Sequence, residues 1–174
     1  MIKAIPFKNQ PAQIEGGSFM ATITTLEILK KAIRFEEISH DFYRRLEDRV
    51  FDYQTKNTLD FLAREELKHK EFLENYIKGK VSGPVLGLTQ AHDAKIVEAF
   101  QVPPVIPELM QKDAFLVAAE KEKASYTFYL ELAELHPEGP VKDLLTGLAR
   151  EELGHKEKVE YLYTNAAFPQ TSGG

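Results

Sequence analysis

A ten-residue segment occurs twice in this chain of 174 residues, and it restricts the fold more than any other feature. Leu62-Ala63-Arg64-Glu65-Glu66-Leu67-Lys68-His69-Lys70-Glu71 returns as Leu148-Ala149-Arg150-Glu151-Glu152-Leu153-Gly154-His155-Lys156-Glu157, 86 positions later, with Lys68 against Gly154 the single difference. The same offset aligns Glu36 with Glu122, Ser39 with Ser125, Phe42 with Phe128, Tyr43 with Tyr129 and Leu46 with Leu132. One offset that holds over two helix-length stretches and the turn between them marks a duplicated helical hairpin. A solenoid would recur more often and at a shorter period.

Local signals delimit the helices. Thr24 and Glu27 have the spacing of a capping box, which opens a first helix running to about Arg49. Asp52 suits the N-cap of a second helix, and Gly79 stands where a helix ending at Lys78 needs its C′ glycine. Gly83, Pro84, Gly87, Pro103 and Pro104 make residues 80–107 a long crossover, with a short helix expected near Ala91 to Phe100. Pro107 fits the first turn of a third helix ending near His136. The break His136-Pro137-Glu138-Gly139-Pro140 precedes a fourth helix to about Thr164. The fold class is therefore all-α: a four-helix bundle of two repeated hairpins joined by a long crossover, so that helices two and three run parallel. Residues 1–23 read as an N-terminal arm, 24–164 as the bundle and 165–174 as a C-terminal tail.

Steps of three and four residues trace the inward seam of each helix. The seams read Leu29, Ala32, Glu36, Ser39, Tyr43, Leu46; Leu59, Leu62, Glu66, His69, Leu73, Tyr76; Phe115, Ala118, Glu122, Ser125, Tyr129, Leu132; and Leu145, Leu148, Glu152, His155, Val159, Leu162. Each is apolar at its ends and carries glutamate in the middle. Glu36 and Glu66 both lie 15 residues from Phe51, and Glu122 and Glu152 both lie 15 from Pro137. Antiparallel helices with equal arms bring these carboxylates to one height, with His69 and His155 beside them.

Four carboxylates cannot stay ionised together in an apolar core without compensation. Two divalent cations match their summed charge, and two imidazoles add neutral nitrogen ligands. Such oxygen-rich sites suit iron or manganese, with zinc also accommodated. Twenty glutamates and five histidines yield about 0.6 Glu-x-x-His matches by chance, so a single one says little. Two at equivalent repeat positions, each opposite a glutamate at matching height, say much more. The competing reading is a plain bundle with solvated Glu/His faces. Glu65 and Glu151, one step off the seam, are expected to support a ligand residue or form salt bridges, with direct ligation as the alternative; Arg64 and Arg150 neutralise them or are solvated. Tyr43 and Tyr129 share the stripe of Glu36 and Glu122; they pack in the core with bonded hydroxyls, or orient a ligand carboxylate or relay an electron. His40 lacks a repeat partner and reads as a surface histidine, with extra ligation as the alternative. His92 and His136 fall in connections and receive no role.

Composition narrows the function classes. A net charge of −5 argues against general nucleic-acid or anionic-membrane binding. The absence of cysteine excludes disulfides, zinc ribbons, thiolate iron sites and a cysteine nucleophile. The longest clearly apolar run, Ala114 to Ala119, is far shorter than the ~20 residues of a membrane span. No secretory signal is visible at the N-terminus, so a cytoplasmic location is expected.

A glutamate from each of two helices and Glu-x-x-His from each of the other two is the known pattern of di-iron and di-manganese bundles. Residues 24–164 resemble the rubrerythrin-like branch of the ferritin-like superfamily. The resemblance rests on Glu36 within Arg34-Phe35-Glu36-Glu37 ahead of Asp41-Phe42-Tyr43, on the two Ala-Arg-Glu-Glu-Leu-x-His blocks, and on Glu122 ahead of Ser125-Tyr126-Thr127-Phe128-Tyr129. It implies a ferritin-like fold holding two iron ions per chain, with Glu36, Glu66, His69, Glu122, Glu152 and His155 as ligands. It implies a di-iron oxidoreductase that reduces hydrogen peroxide, with Glu66 and Glu152 bridging and Glu36 and Glu122 terminal. Two departures stand out. Without cysteine there is no rubredoxin domain, so an external electron-transfer protein is the expected partner. The extra carboxylate that rubrerythrins carry one turn from the third-helix glutamate is absent, since Ala118, Ala119, Ser125 and Tyr126 occupy those places. That leaves a symmetric set closer to bacterioferritin-type sites, and a ferroxidase acting with dioxygen is the alternative. A non-catalytic metal-binding or interaction bundle is the third reading. A homodimer is the expected assembly.

Overall fold

The computed structural model describes residues 24–81, 93 and 95–168. Among them are four long helices, α1 (Thr25–Glu47), α2 (Tyr53–Ile77), α3 (Gln111–Glu134) and α4 (Pro140–Ala167), and a single 3-10 turn at Val97–Ala99. There is no strand among the described residues, and no helix there is long and apolar enough to cross a membrane. The expected arm 1–23 and most of the expected tail lie outside the described residues.

Each terminus shows why its helix starts or stops. Thr24 Oγ1 accepts from the Glu27 amide, and the Glu27 carboxylate accepts from the Thr24 amide, closing the capping box of α1. The Asp52 carboxylate caps α2 by accepting from the Thr55 amide at 2.7 Å. At the other end of α2, Gly79 takes φ +69°. Its amide donates to Tyr76 O while that of Lys80 reaches Asn75 O, the paired bonds of a Schellman closure. Pro140 sits in the first turn of α4, where its missing N–H costs nothing.

Three boundaries depart from the sequence expectation. α3 begins at Gln111 rather than Pro107 because Glu108 adopts φ +64°, which no right-handed helix admits. The Leu109 amide meanwhile donates to Arg49 O in the α1–α2 turn at 2.8 Å, so a tertiary contact holds this stretch extended. The short helix expected near 91–100 contracts to the Val97–Ala99 turn, with residues 91, 92 and 94 outside the described set. α4 continues to Ala167, which takes three residues from the expected tail.

α1 packs against α2, and α3 against α4, as two antiparallel hairpins. The Leu109–Arg49 bond and the bond from Gln111 to Asp52 place the start of α3 beside the start of α2, so those two run parallel. The crossover is fastened to α4. Lys156, only 1 % exposed, pairs with Glu160 at 3.1 Å on its own helix and with Asp93 and Glu98 of the connector. Glu160 also accepts from the Val97 amide at 2.8 Å.

Two apolar clusters fill the bundle. One, around Leu46, Leu59, Leu62, Phe115, Ala118 and Val159, lies toward the α1–α2 turn. The other, around Leu29, Leu73, Leu132, Leu145 and Leu148, lies toward the α3–α4 turn. Between them sits a polar layer. All the seam residues are buried apart from His155, slightly exposed, and Leu162, half-buried. Tyr163 takes the buried place beside Leu162, its ring meeting Phe100 of the connector with centroids 5.2 Å apart.

The two glycines with unlike backbones respond oppositely to alanine. Gly79→Ala forces a Cβ into the left-handed region and lowers stability by about 1 kcal/mol. Gly154→Ala, inside α4 with nothing within 4 Å of the added Cβ, raises it by roughly 0.5–1 kcal/mol. Urea denaturation of both variants checks the pair; equal shifts would contradict the backbone reading.

Candidate metal centre

The layer between the two cores consists of Glu36 from α1, Glu66 and His69 from α2, Glu122 from α3, and Glu152 and His155 from α4. All four carboxylates are fully buried; the histidine side chains are 2 % and 13 % exposed. Candidate ligand atoms form two groups, in each of which they lie within 4.8 Å of one another. Glu36, Glu66, His69 and Glu152 make the first, and Glu122, Glu152 and His155 the second. Glu152 belongs to both. Glu66, expected to bridge in the same way, groups with the first alone.

Both imidazoles turn Nδ1 inward. His69 Nδ1 lies 3.2 Å from Glu152 Oε1 and 3.7 Å from both Glu36 Oε1 and Glu66 Oε2. His155 Nδ1 lies 3.6 Å from Glu122 Oε2 and 3.7 Å from Glu152 Oε2. The rings stack with centroids 5.7 Å apart. Nine buried side-chain atoms among the described residues have no hydrogen-bond partner, and eight belong to these six side chains: one oxygen each of Glu36 and Glu122, both of Glu66 and Glu152, and Nδ1 of each histidine. An unpaired buried polar atom costs about 1–3 kcal/mol, so eight of them facing one spot is a donor set that suits cations.

The outer edge of the layer is satisfied by the protein. The Tyr43 hydroxyl of α1 donates to Glu122 Oε1 of α3, and the Tyr129 hydroxyl of α3 donates to Glu36 Oε1 of α1. Each tyrosine thus serves the glutamate of the opposite repeat, and the other oxygen of each glutamate is left without a partner. His69 Nε2 donates to Glu151 Oε2 at 2.8 Å. A carboxylate only accepts, so that bond fixes the ring with Nδ1 toward the cluster. Glu65 forms a salt bridge instead, with Lys68 at 2.7 Å. Arg64 pairs with Asp60, and Arg150 is exposed. His40 lies outside the layer beside Asp41, and His136 bonds Thr25 Oγ1 at 2.8 Å. His92 lies outside the described residues.

One feature at the layer's rim escaped the sequence reading. Lys121 Nζ donates to Ser39 Oγ at 2.6 Å and Ser125 Oγ at 2.8 Å, and sits 4.4 Å from the centre of the Phe35 ring. Phe35 and Lys121 are themselves repeat equivalents, and that mismatch at the 86-residue offset was the available signal.

Without cations, protons carry the compensation. Burial, then repulsion from Glu152 and Glu66, pushes the Glu36 carboxyl well above its ordinary range. Burial, then Glu66 and Glu122, lifts Glu152 from 4.5 to about 7. Burial opposes charge on His155, but the Glu122 and Glu152 carboxylates beside it lift it from 6.5 to about 10. Burial likewise opposes charge on His69, and Glu151 and Glu152 overcome it. Glu122 is driven up by burial, yet His155 and Tyr43 bring it below its ordinary value. A group raised on folding stabilises the fold below its unfolded pKa, and that stability is lost as pH climbs through the folded one. For Glu152 the loss falls between about 4.5 and 7, and for His155 between about 6.5 and 10. Glu122 has the opposite sign but acts only below 4.5. Melting the metal-free protein across this range should therefore show the midpoint falling by roughly 5 °C or more from pH 6 to pH 9. Saturation with a divalent cation should flatten the fall, since cations replace the protons. A metal-free midpoint that rises over this range would contradict the assignment.

The comparisons agree with the geometry. The family model described as Rubrerythrin matches residues 27–163. No curated protein matches the chain. Among solved structures it is similar to "Hypothetical Protein Pfu-1136390-001" from Pyrococcus furiosus, at 24 % identity and a TM-score of 0.56, over 84 % of this chain and 92 % of that one. At that identity the likeness speaks for the fold alone. The family match spans both hairpins and all six residues of the buried layer, and the chain belongs to the rubrerythrin family.

Proposed function

We propose that the chain is a non-haem di-iron oxidoreductase that reduces hydrogen peroxide with electrons from an external donor. The observation that carries this reading is the set of eight unpartnered buried atoms on six side chains at the centre of the bundle. Glu36, Glu66 and His69 would hold one iron ion, Glu122 and His155 the other, with Glu152 between them. Two bound iron ions would supply one electron each and act as Lewis acids on oxygen, matching the two electrons and two protons that turn H2O2 into two water molecules.

The protein's own contribution is positional. Tyr43 and Tyr129 each hold one oxygen of Glu122 and Glu36, so each of those carboxylates keeps its other oxygen unpartnered and free for a cation. Both phenols stay protonated, because burial and the adjacent carboxylates push their ionisation well above the ordinary value. Glu151 holds His69 by Nε2. The apolar clusters on either side keep water from the layer and strengthen every charge interaction within it. With no cysteine among the 174 residues, the reducing electrons come from a donor outside them.

A second reading, ferroxidase, draws on one observation. Ala118, one turn before Glu122, is fully buried and Ser125, one turn after, is bonded to Lys121, so no further carboxylate flanks that glutamate. Such a symmetric set also suits Fe(II) oxidation by dioxygen.

Anaerobic Fe(II) titration of the metal-free protein tests the proposal. Two equivalents per chain are expected, with Glu152→Ala losing at least one and keeping its helical circular dichroism. Rapid mixing of the loaded protein with peroxide and with dioxygen then separates the readings: faster oxidation by peroxide supports the peroxidase, and faster oxidation by dioxygen supports the ferroxidase. Absence of tight Fe(II) binding would overturn both.

A further inference from the structure

The two repeats are nearly identical along the ligand-bearing segments of α2 and α4, yet the surroundings of their histidines differ. Around His69, Glu151 reaches across from α4 and accepts from Nε2 at 2.8 Å. Its repeat equivalent, Glu65 of α2, would do the same for His155. It is instead engaged by Lys68 at 2.7 Å, three residues along its own helix. Among the described residues no carboxylate lies within ion-pairing distance of His155 Nε2. The single difference between the repeated segments falls here: Glu65 has Lys68 three positions on, whereas Glu151 has Gly154, and Lys158 adds its charge on the Glu65 side, where the repeat has Phe72. With no side chain at Gly154, Glu151 is left to His69.

The rest of the His155 environment points the same way. Its outer neighbour is Phe61, whose ring meets the imidazole edge-on with centroids 6.1 Å apart. Lys158 Nζ sits 3.4 Å from the centre of that ring, adding a second ammonium on this side. His155 is also the more exposed histidine, 13 % against 2 %. The group around His69 offers four ligand residues and the group around His155 three.

We propose that the two metal positions are unequal: the one served by His69 fills first and holds its ion tightly because Glu151 fixes that ring, and the one served by His155 fills second and exchanges more readily because Lys68 draws Glu65 away. The inference rests on the dinuclear reading above. A carboxylate behind a metal-binding imidazole fixes its orientation and raises its basicity, and losing such a partner lowers metal affinity about 10- to 100-fold. Glu151 is thus a positioning residue for the first ion. Lys68 is a specificity device that leaves the second ring without one. The exposed Lys68–Glu65 pair is itself weak, so its share of the difference sits at the lower end of that range.

Calorimetric titration with Co(II), which no peroxide or dioxygen step complicates under anaerobic conditions, tests the inequality. Wild type should bind two ions per chain in two resolved steps, at least about tenfold apart. Glu151→Ala should weaken the first step about 10- to 100-fold while leaving the second nearly unchanged, and Glu151→Gln should restore part of it. Lys68→Ala should tighten the second step alone. Gly154→Lys, which meets nothing within 4 Å at its Cβ, should copy the Lys68 arrangement beside Glu151 and weaken the first step. Circular dichroism confirms that each variant is folded. Two equal steps in wild type would overturn the proposal, as would a Glu151→Ala variant that weakens both steps alike. A second step unmoved by Lys68→Ala would also overturn it. Absence of any Co(II) binding would instead remove the dinuclear reading on which it rests.

Discussion

Placing four carboxylates at one height inside an apolar bundle is the constraint from which most of this structure follows. Each carboxylate loses its hydration, and each raises the cost of ionising the others. The described residues meet that cost in two directions. Around the rim, tyrosine hydroxyls satisfy one oxygen each of Glu36 and Glu122, and Glu151 engages the outer nitrogen of His69. Toward the centre nothing is satisfied, and the remaining charge falls to protons on Glu36, Glu152 and the two imidazoles. Such an arrangement persists only if the helices cannot splay to admit water. The apolar clusters above and below supply that restraint, with fully buried residues such as Leu29, Leu62, Leu73 and Leu148 closing the bundle on either side of the layer.

The fold and the six central residues were legible in the sequence because both depend on periodicity. A three-four spacing decides which face of a helix turns inward, and equal distances from a turn decide height. What the spacing does not contain is which helix faces which across the bundle. The bonds from Tyr43 to Glu122 and from Tyr129 to Glu36 span α1 and α3, and no count along either helix reveals that exchange. Glu151 and Glu65 looked equivalent for the same reason, until the neighbouring Gly154 and Lys68 gave them different partners. The start of α3 was misplaced because proline at 107 is a local signal, and the bond from Leu109 to Arg49 is not. Leu162 is only half-buried and Tyr163 is buried instead, its ring against Phe100 of the connector, a contact invisible to helical periodicity.

That connector is more than a span between hairpins. Lys156 and Glu160 occupy the repeat positions of Lys70 and Glu74, which form partly exposed ion pairs on α2. On α4 the same two residue types are buried, and Asp93, Glu98 and the Val97 amide complete their interactions. One charged pair inherited by both repeats is a solvated surface feature in one and a buried anchor in the other. The anchor lies immediately beyond His155, so the crossover and the second half of the polar layer are tied to the same turns of α4.

The exchange of tyrosines between α1 and α3 has a consequence for how such a chain is organised. Each hairpin contains half of the polar layer, but the hydroxyl that steadies its lone glutamate always resides in the other half. A hairpin by itself therefore encloses an unfinished centre, while two copies facing one another about a twofold axis would complete it without any further invention. Joining the copies in one chain removes the demand that they be identical. Phe35 facing Lys121, and Lys68 facing Gly154, are what two halves released from symmetry look like.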